Sequence, residues 1–365
     1  MKNPEKTVQL LPITNHFQLV GEVAEINSFG EGMINSTYRV SLKNTATEYV
    51  LQKINHHIFK DVELLQNNIK RITDHIHFKL AESGEDDLDR KTISLIPTLE
   101  GKLYYFDGDS YWRMSLLISN SKTYEAVTPE YAFYAGQAFG KFQYMLADMP
   151  GEPLGETIPD FHNMDFRLQQ FRDAVKANVA NRLSEVTELV EEIEKRSVEM
   201  CQCQRLFQEG KLPKRINHCD TKVNNMLFDE SGKVLCVIDL DTTMPGFVMS
   251  DFGDFMRTAG NTGKEDDTDL DNVSFNMEIF KSYTKGYLES AKDFLTALEI
   301  ELLPFGAQLM TYMQLTRFLA DYLNGDTYYK ITNPMHNLQR SKAQFKLLQS
   351  IEAQYTQMQN FIILL

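Results

Sequence analysis

The sequence lacks two features that would each define a class of protein. No segment approaches the run of about 18 apolar residues that a membrane-spanning helix needs, and residues 1–11 have no adequate apolar run for a secretory signal. There is also no basic excess, because 37 Lys and Arg stand against 51 Asp and Glu and the formal net charge is −14. We therefore expect neither a membrane partner nor nucleic-acid binding, which needs a net basic surface.

Cysteine is scarce as well. The four cysteines are Cys201, Cys203, Cys219 and Cys236. The first two form a C-x-C pair, but no second pair or flanking histidine completes a zinc-binding set. Reduced thiols in a cytoplasmic protein are the expectation, and nothing in the sequence indicates an obligate protein partner.

What is present is a chain of 365 residues, long enough for two domains or two lobes. Runs rich in β-branched and aromatic residues predict strands in the first third, and residues 61–82 have the spacing of an amphipathic helix. The expected strands are residues 37–42, 48–54, 91–97, 102–106 and 112–119. Beyond residue 120 the pattern is mainly helical, with helices expected over 129–147, 164–209 and from 273 to the end.

A short β-rich patch at residues 215–240 interrupts the helical part. The predicted architecture is therefore α+β and has two lobes. Residues 1–119 form a β-rich N-terminal lobe, a hinge lies at about 118–124, and residues 120–365 form a helical C-terminal lobe with a hairpin embedded in it.

This patch contains the pattern H-x-D-x-K-x-x-N, formed by His218, Asp220, Lys222 and Asn225. A turn at 229–233 and a strand at 234–241 follow. We expect the two strands to pair around this turn, so that the position numbers of opposite residues sum to about 464. Asn225 then lies opposite Asp239. Strand alternation would then place residues 237, 239 and 241 on one face.

Such a hairpin has the groups that phosphoryl transfer requires. Mg²⁺ prefers oxygen ligands that it shares with substrate phosphates, and kinases supply them from a loop Asn and an Asp on the next strand. We expect Asn225 and Asp239 to bind Mg²⁺ beside ATP and Asp220 to accept the hydroxyl proton. Lys222 would offset phosphate charge, while His218 would fix the loop. Turn residues of an ordinary hairpin are the alternative, but four residue types at one spacing favour kinase chemistry.

These residues resemble the aminoglycoside and choline kinase superfamily, and more closely the N-acetylhexosamine 1-kinases and their relatives. The matching segments are residues 138–143, 156–162, 218–225, 237–246, 251–254 and 317–328. The resemblance implies a protein-kinase-like fold and transfer of the ATP γ-phosphate to the anomeric hydroxyl of GlcNAc or GalNAc. It also implies that Asp220 is the base at the sugar, that Asn225 and Asp239 hold Mg²⁺, and that Arg317 and Tyr328 contact the sugar.

Asp251 begins a D-F-G sequence like the metal motif of protein kinases. It follows Asn225 by 26 positions, which is too far to pair with it across one hairpin. We therefore expect Asp251 to be a structural acid that braces the catalytic loop.

Nucleotide binding is expected around residues 29–38, where Gly30, Gly32 and Asn35 lie between two strands and backbone amides can approach phosphates. Lys53 shares a strand face with Tyr49 and Leu51, and we expect it to reach the ATP phosphates. The acid that pairs with Lys53 stays open, since Glu63 is nearer in sequence than is typical. Adenine is expected at residues 117–122.

Two other functions stay open. The first is a kinase for another small alcohol, such as an aminoglycoside, choline, homoserine or a different sugar. The second is a catalytically silent kinase-like binding protein, against which the intact set of Asp220, Asn225 and Asp239 argues.

Overall fold

The structure, a computed structural model, describes residues 4–30, 34–124 and 127–365. The chain divides into two compact units, each assembled from three segments. The first unit comprises Met1–Thr123, Asp148–Pro159 and Met226–Met244; the second comprises Tyr124–Ala147, Asp160–Asn225 and Pro245–Leu365. The predicted α+β class is confirmed. The lobe boundary at residue 119 stays a prediction, and the hairpin expected in the helical lobe groups with the first unit.

The first unit is built on an antiparallel sheet with the strand order β1-β2-β3-β6-β4, and β5 pairs with β6. The strands are β1 (Val23–Ser28), β2 (Ser36–Leu42), β3 (Glu48–Ile54), β4 (Leu95–Ile96), β5 (Tyr105–Phe106) and β6 (Tyr111–Leu116). β4 and β5 are shorter than expected, because a 3-10 turn at Leu88–Arg90 precedes β4 and the chain turns at Gly101, where φ is +80°.

The core of this sheet lies on one face. Its buried members include Val40, Leu51, Trp112 and Met114, and Leu10 and Ile13 pack against it. The last two belong to a helix that the sequence reading did not predict, α1 (Pro4–Thr14).

Helix α2 (Val62–Glu82) begins where the sequence indicates. Its N-cap Asp61 accepts a hydrogen bond from the Leu64 N–H at 2.9 Å, the capping contact that short polar side chains favour. Residues 148–159 run along α2, since Asn68 donates to the Gly155 carbonyl at 2.8 Å and Arg71 donates to the Glu152 carbonyl at 2.6 Å. This segment therefore fastens α2 within the first unit.

The predicted hairpin is present as β8 (Met226–Phe228) and β9 (Val234–Val237). Its register differs from the prediction: Met226 pairs with Val237 and Leu227 with Cys236, so the position numbers sum to one less than expected. β9 also ends at Val237, because Asp239 adopts a left-handed backbone conformation with φ +60° and starts a 3-10 turn at Leu240–Thr242. The expected alternation of residues 237, 239 and 241 along one strand face is therefore wrong.

The second unit is mainly helical. Its helices are α3 (Pro129–Leu146), α4 (Met164–Ala177), α5 (Thr187–Met200), α6 (Gln202–Gln208), α7 (Val248–Ala259), α8 (Met277–Ala291), α9 (Ala297–Glu301), α10 (Leu303–Leu323) and α11 (His336–Ile363). Two short strands, β7 (Arg215–Asn217) and β10 (Met244–Gly246), pair with each other. The long helical stretch expected over 164–209 divides into three helices, and the first of them, α4, ends where Asn178 takes a left-handed conformation with φ +41°. Within the described ranges, no helix has the length and apolarity that crossing a membrane requires.

The packing of α7 on α10 explains the glycine of the D-F-G sequence. A Cβ atom added to Gly253 would lie 1.9 Å from the carbonyl oxygen of Gly306. The two helix backbones therefore touch, and only glycine permits this approach. The glycine serves helix packing, and it holds in place the helix that carries Asp251 and Asp254.

We predict that Gly253→Ala destabilises the protein by about 1–3 kcal/mol, the usual cost of overpacking a close contact. Chemical denaturation measures this change. Gly21→Ala is the matched control, since its Cβ would meet only Leu42 at an ordinary 3.5 Å. Equal stability of the two variants would contradict the proposed backbone contact.

Candidate active site

The loop between β7 and β8 brings together the two predicted catalytic residues and one predicted metal ligand. The side-chain nitrogen of Asn225 donates to the Asp220 carbonyl at 2.8 Å and to Asp220 Oδ2 at 3.0 Å. The Lys222 ammonium lies 2.9 Å from the same carboxylate oxygen. One oxygen of Asp220 is thus held in place, and the second can face a substrate hydroxyl.

Asp251, at the start of α7, fixes the backbone of this loop. Its two carboxylate oxygens accept the N–H of His218 at 2.7 Å and the N–H of Cys219 at 2.8 Å. Gln143 donates to the same carboxylate at 2.8 Å. The carboxyl group is buried, and burial raises its pKa to about 6 despite the three donors. Asp251 therefore occupies the position of a bracing acid directly behind Asp220.

His218 is fully buried beneath the loop. Its Nδ1 accepts the N–H of Asp220 at 3.3 Å, with the tautomer assigned from this contact. The ring also meets Phe139 and Phe142 edge-on, with centroids 5.8 and 5.9 Å away. The imidazole thus orients the backbone of Asp220, the predicted base.

Asp254 is a second acid behind the loop, and the sequence reading missed it. It accepts the N–H of Thr221 at 3.0 Å and forms an ion pair with Arg257, also at 3.0 Å. The signal was present in the sequence, because residues three positions apart on a helix share a face. Asp251 and Asp254 have this spacing and point at consecutive parts of the loop.

The donor chemistry fits Mg²⁺. Both side-chain hydrogen bonds of Asn225 use its nitrogen, which leaves the amide oxygen as the atom for a hard cation. Asn225 and Asp239 flank one hairpin, since the first directly precedes Met226 and the second follows Val237 by two residues. Mg²⁺ is usually bound by one or two protein carboxylates together with substrate phosphates. Accordingly, the described residues contain no group of three or more His, Cys, Asp or Glu side chains arranged as a complete metal site.

The three residues predicted for the nucleotide loop, Gly30, Gly32 and Asn35, do not all fit that role equally well. Gly30 has φ +72°, a conformation that suits glycine, whereas Gly32 lies outside the described residues. Asn35 is buried, and both ends of its amide are engaged: its nitrogen donates to Asp241 Oδ2 at 2.6 Å and its oxygen accepts the Asn55 N–H at 2.9 Å. The Asn35 side chain therefore holds Asp241 and is not free for a phosphate.

Lys53 has an acidic neighbour that was not expected. Its ammonium lies 3.9 Å from Asp109, an exposed acid that the sequence reading did not consider, and the Lys53 side chain is 42% exposed.

At the expected adenine segment, the N–H of residue 117 donates to the Glu48 carbonyl at 2.9 Å. At its other end, the N–H and carbonyl of Lys122 bond to Phe228 at 3.0 and 2.9 Å. Between these ends, the Ser121 hydroxyl donates to the Ile118 carbonyl at 2.7 Å, so several polar groups of the segment already have partners.

Arg317, on α10, lies among aromatic rings. Its guanidinium is 5.5 Å from the centroid of Phe161, 5.9 Å from Tyr328 and 5.7 Å from Tyr329. Within the described part of the chain, Arg317 forms no ion pair, and its hydrogen bond goes to the neutral side chain of Gln314 at 3.3 Å. We call Arg317, Phe161, Tyr328 and Tyr329 the arginine–aromatic cluster.

The loop that carries Tyr328 and Tyr329 is held in place by hydrogen bonds, and a second arginine lies near Arg317. Buried Asp321 accepts the N–H groups of Tyr328 and Tyr329 at 2.9 and 3.0 Å, which fixes the loop after α10. Burial and the nearby charge of Arg317 lower the pKa of Arg167 to about 10, and burial lowers the pKa of His162 to about 3. His162 is therefore neutral, and Arg167 places a second positive charge near Arg317.

Comparison with known proteins identifies the class. The model of the phosphotransferase enzyme family matches residues 25–276. Because this is more than half of the chain, the protein belongs to that family.

Solved structures agree on the fold. An aminoglycoside phosphotransferase from Alicyclobacillus acidocaldarius superposes with a TM-score of 0.63 at 10% identity, over 96% of each chain. A choline kinase from Cryptosporidium parvum gives 0.57 at 13% identity, over 98% of this chain and 99% of the other. A spectinomycin phosphotransferase in complex with ADP and spectinomycin gives 0.57 at 14% identity, over 96% and 98%. The chain therefore has the kinase-like fold that was predicted, with a β-sheet N-terminal region and a helical C-terminal region.

We predict a pH signature for the bracing acid. The folded-state pKa of Asp251, about 6, lies above the value of about 3.9 usual for an unfolded chain. The native state therefore takes up a proton as the pH falls through 6, which stabilises it. The unfolding free energy of the wild type, relative to that of Asp251→Asn, should therefore increase as the pH falls from 7 to 5. The variant itself should be less stable at pH 5, because its amide N–H₂ faces a backbone N–H, at a cost of about 1–3 kcal/mol.

Denaturation of both proteins at each pH measures this difference, in which the contributions of the other carboxylates cancel. A difference that does not change with pH would contradict the raised pKa of Asp251.

Proposed function

We propose that the protein is an ATP- and Mg²⁺-dependent kinase that phosphorylates the anomeric hydroxyl of an N-acetylhexosamine, GlcNAc or GalNAc. Family membership supports phosphoryl transfer, and the ADP bound to the spectinomycin enzyme supports the nucleotide. The arrangement of Asp220, Lys222 and Asn225 supports catalysis, while the arginine–aromatic cluster supports a sugar acceptor.

Asp220 is the catalytic base. The acceptor hydroxyl gives its proton to this carboxylate while its oxygen bonds to the γ-phosphorus, and the bond from that phosphorus to the β-phosphate bridging oxygen breaks to release ADP. Asn225 and Lys222 hold one carboxylate oxygen, so the other keeps a fixed direction. Most of the rate enhancement then comes from positioning and charge stabilisation, because the transition state is loose.

Asn225 and Asp239 would hold Mg²⁺, which neutralises phosphate charge in this chemistry. Lys222 adds positive charge next to Asp220. His218 and Asp251 fix the loop backbone and do not contact the substrate.

One observation carries the choice of acceptor: within the described residues, Arg317 contacts three aromatic rings and the neutral Gln314 and forms no ion pair. A choline or aminoglycoside acceptor is a cation, and it would meet repulsion from Arg317 and Arg167. A neutral sugar suits the same surface, since a guanidinium has five N–H donors for hydroxyl or carbonyl oxygens. Tyr328, with 64% of its surface exposed, offers a ring face for the sugar.

Kinases of other small alcohols are the second candidate, because the similar structures include an aminoglycoside phosphotransferase and a choline kinase. The decisive experiment is phosphorus NMR of products from a panel with ATP and Mg²⁺. The panel contains N-acetylhexosamines, choline and an aminoglycoside. Phosphate on C1 of an N-acetylhexosamine supports the proposal, whereas turnover of a cationic acceptor alone would refute it.

We predict that Asp220→Asn lowers kcat by about 10²–10⁴-fold, the usual contribution of a general base. The amide keeps an oxygen for Asn225 but cannot take up the proton. Steady-state kinetics measures the loss, and a thermal melt checks the fold. A folded variant within about tenfold of the wild-type rate would exclude Asp220 as the base.

We predict that Arg317→Met raises KM for the acceptor by about tenfold to a hundredfold, because hydrogen bonds from a charged donor contribute about 1.5–3 kcal/mol. KM for ATP should stay unchanged. Arg340→Met is the control, since Arg340 also stacks on an aromatic ring, Phe318, at 5.2 Å. Equal effects of the two substitutions would indicate that Arg317 only packs the helix.

A further inference from the structure

One face of β3 packs into an apolar core, and the other lies against a buried ion pair. Tyr49 and Leu51 point into the core that also contains Trp112. Lys53 follows on the same face by strand alternation, and its ammonium lies 6.0 Å from the centroid of the Trp112 ring. Lys53 therefore extends from the edge of this core towards solvent and Asp109.

The opposite face carries a buried ion pair. Gln52 is paired with Arg113 across β3 and β6, and Arg113 Nε donates to Gln52 Oε1 at 2.8 Å. Both terminal nitrogens of Arg113 bond to the carboxylate of Asp241, one of them at 3.0 Å. The side chains of Arg113 and Asp241 are 7% and 4% exposed. This bidentate geometry is specific to a planar guanidinium, so lysine cannot reproduce it.

Asp241 is held from further directions. Asn35 donates to its carboxylate at 2.6 Å, and the Thr157 hydroxyl donates to its backbone carbonyl at 2.7 Å. Asp241 lies inside the 3-10 turn Leu240–Thr242, which Asp239 begins. Asp239 has φ +60°, and such a conformation costs a non-glycine residue about 1 kcal/mol or more unless its surroundings hold it. The anchored Asp241 provides that hold two residues away.

We infer that Arg113 is the positioning residue of the metal-binding turn and that Lys53 does not serve the metal or the phosphates. Arg113 fixes Asp241, and through it the backbone of Asp239. The inference rests on the proposed function, in which Asp239 binds Mg²⁺. Because Arg113 also neutralises Asp241, Mg²⁺ meets the charge of Asp239 without that of a second carboxylate in the same turn.

The alternative is an ion pair that only stabilises the sheet. Buried pairs are weak evidence for function on their own, since their desolvation cost is large. The two roles differ in one measurable property: a stabilising pair changes the melting temperature, whereas a positioning pair also changes the Mg²⁺ requirement for nucleotide binding.

The test is calorimetric titration of ADP into the full chain over a range of Mg²⁺ concentrations. For Arg113→Lys we expect Mg²⁺ affinity to fall by about 10–100-fold, as is typical when a residue that supports a metal ligand is changed. Binding of ADP without metal should stay within about twofold, the effect of a 0.5 kcal/mol surface change. Lys53→Met should leave both quantities within the same range.

Emission of the single tryptophan, Trp112, checks that the sheet is folded, because that side chain is buried beside Arg113. If Arg113→Lys does not fold, Gln52→Met decides, since it removes the contact with Arg113 Nε and a hydrogen bond to the Thr37 hydroxyl at 3.2 Å but leaves both Arg113 contacts to Asp241. It should shift the Mg²⁺ requirement in the same direction by a smaller amount.

The outcomes separate the inference from the function. Wild-type Mg²⁺ dependence in folded Arg113→Lys or in Gln52→Met would overturn the inference alone. A shift in Lys53→Met would overturn it in favour of the lysine. If the wild-type chain showed no Mg²⁺-dependent ADP binding, both the proposed function and the inference would fail.

Discussion

The buried carboxylate of Asp251 is the constraint on which the candidate active site depends. It accepts two successive backbone N–H groups, those of His218 and Cys219, and so fixes the segment that presents Asp220. Cys219 has φ +62°, which shows how sharply the chain must turn there. A carboxylate suits this position because its two acceptor oxygens can hold adjacent N–H groups at once. The same helix then holds the next part of the loop through Asp254, which accepts the N–H of Thr221.

Each compact unit uses the same strategy. In the second unit, acids on α7 hold the loop that contains Asp220. In the first unit, Arg113 on β6 holds Asp241, which follows Asp239 by two residues. In both units a buried, fully hydrogen-bonded charge stabilises an irregular piece of backbone next to a residue with a proposed chemical role. Removing one partner of such a buried group is costly, so the contacts that hold this backbone are costly to break.

Local pattern was enough to predict much of this protein. The strand at 48–54, the helix at 61–82 and the H-x-D-x-K-x-x-N loop depend on neighbours within a few residues, and the sequence shows those neighbours. The strand expected over 234–241 ends at Val237, because the turn that follows is held by contacts to Asp241 from Asn35, Arg113 and Thr157, which are distant in sequence. The role of Lys53 stays a prediction for a related reason. Strand alternation gives its face, but only the tertiary structure shows which face carries Asp241.

The most direct test of the account is a crystal structure with ADP, an N-acetylhexosamine and Mn²⁺ in place of Mg²⁺, because Mn²⁺ can be located by its anomalous scattering. The account predicts a manganese peak bound by the Asn225 amide oxygen and the Asp239 carboxylate. It also predicts that the free oxygen of Asp220 lies within hydrogen-bond distance of the C1 hydroxyl. A metal bound by other residues, or a C1 hydroxyl without contact to Asp220, would contradict it.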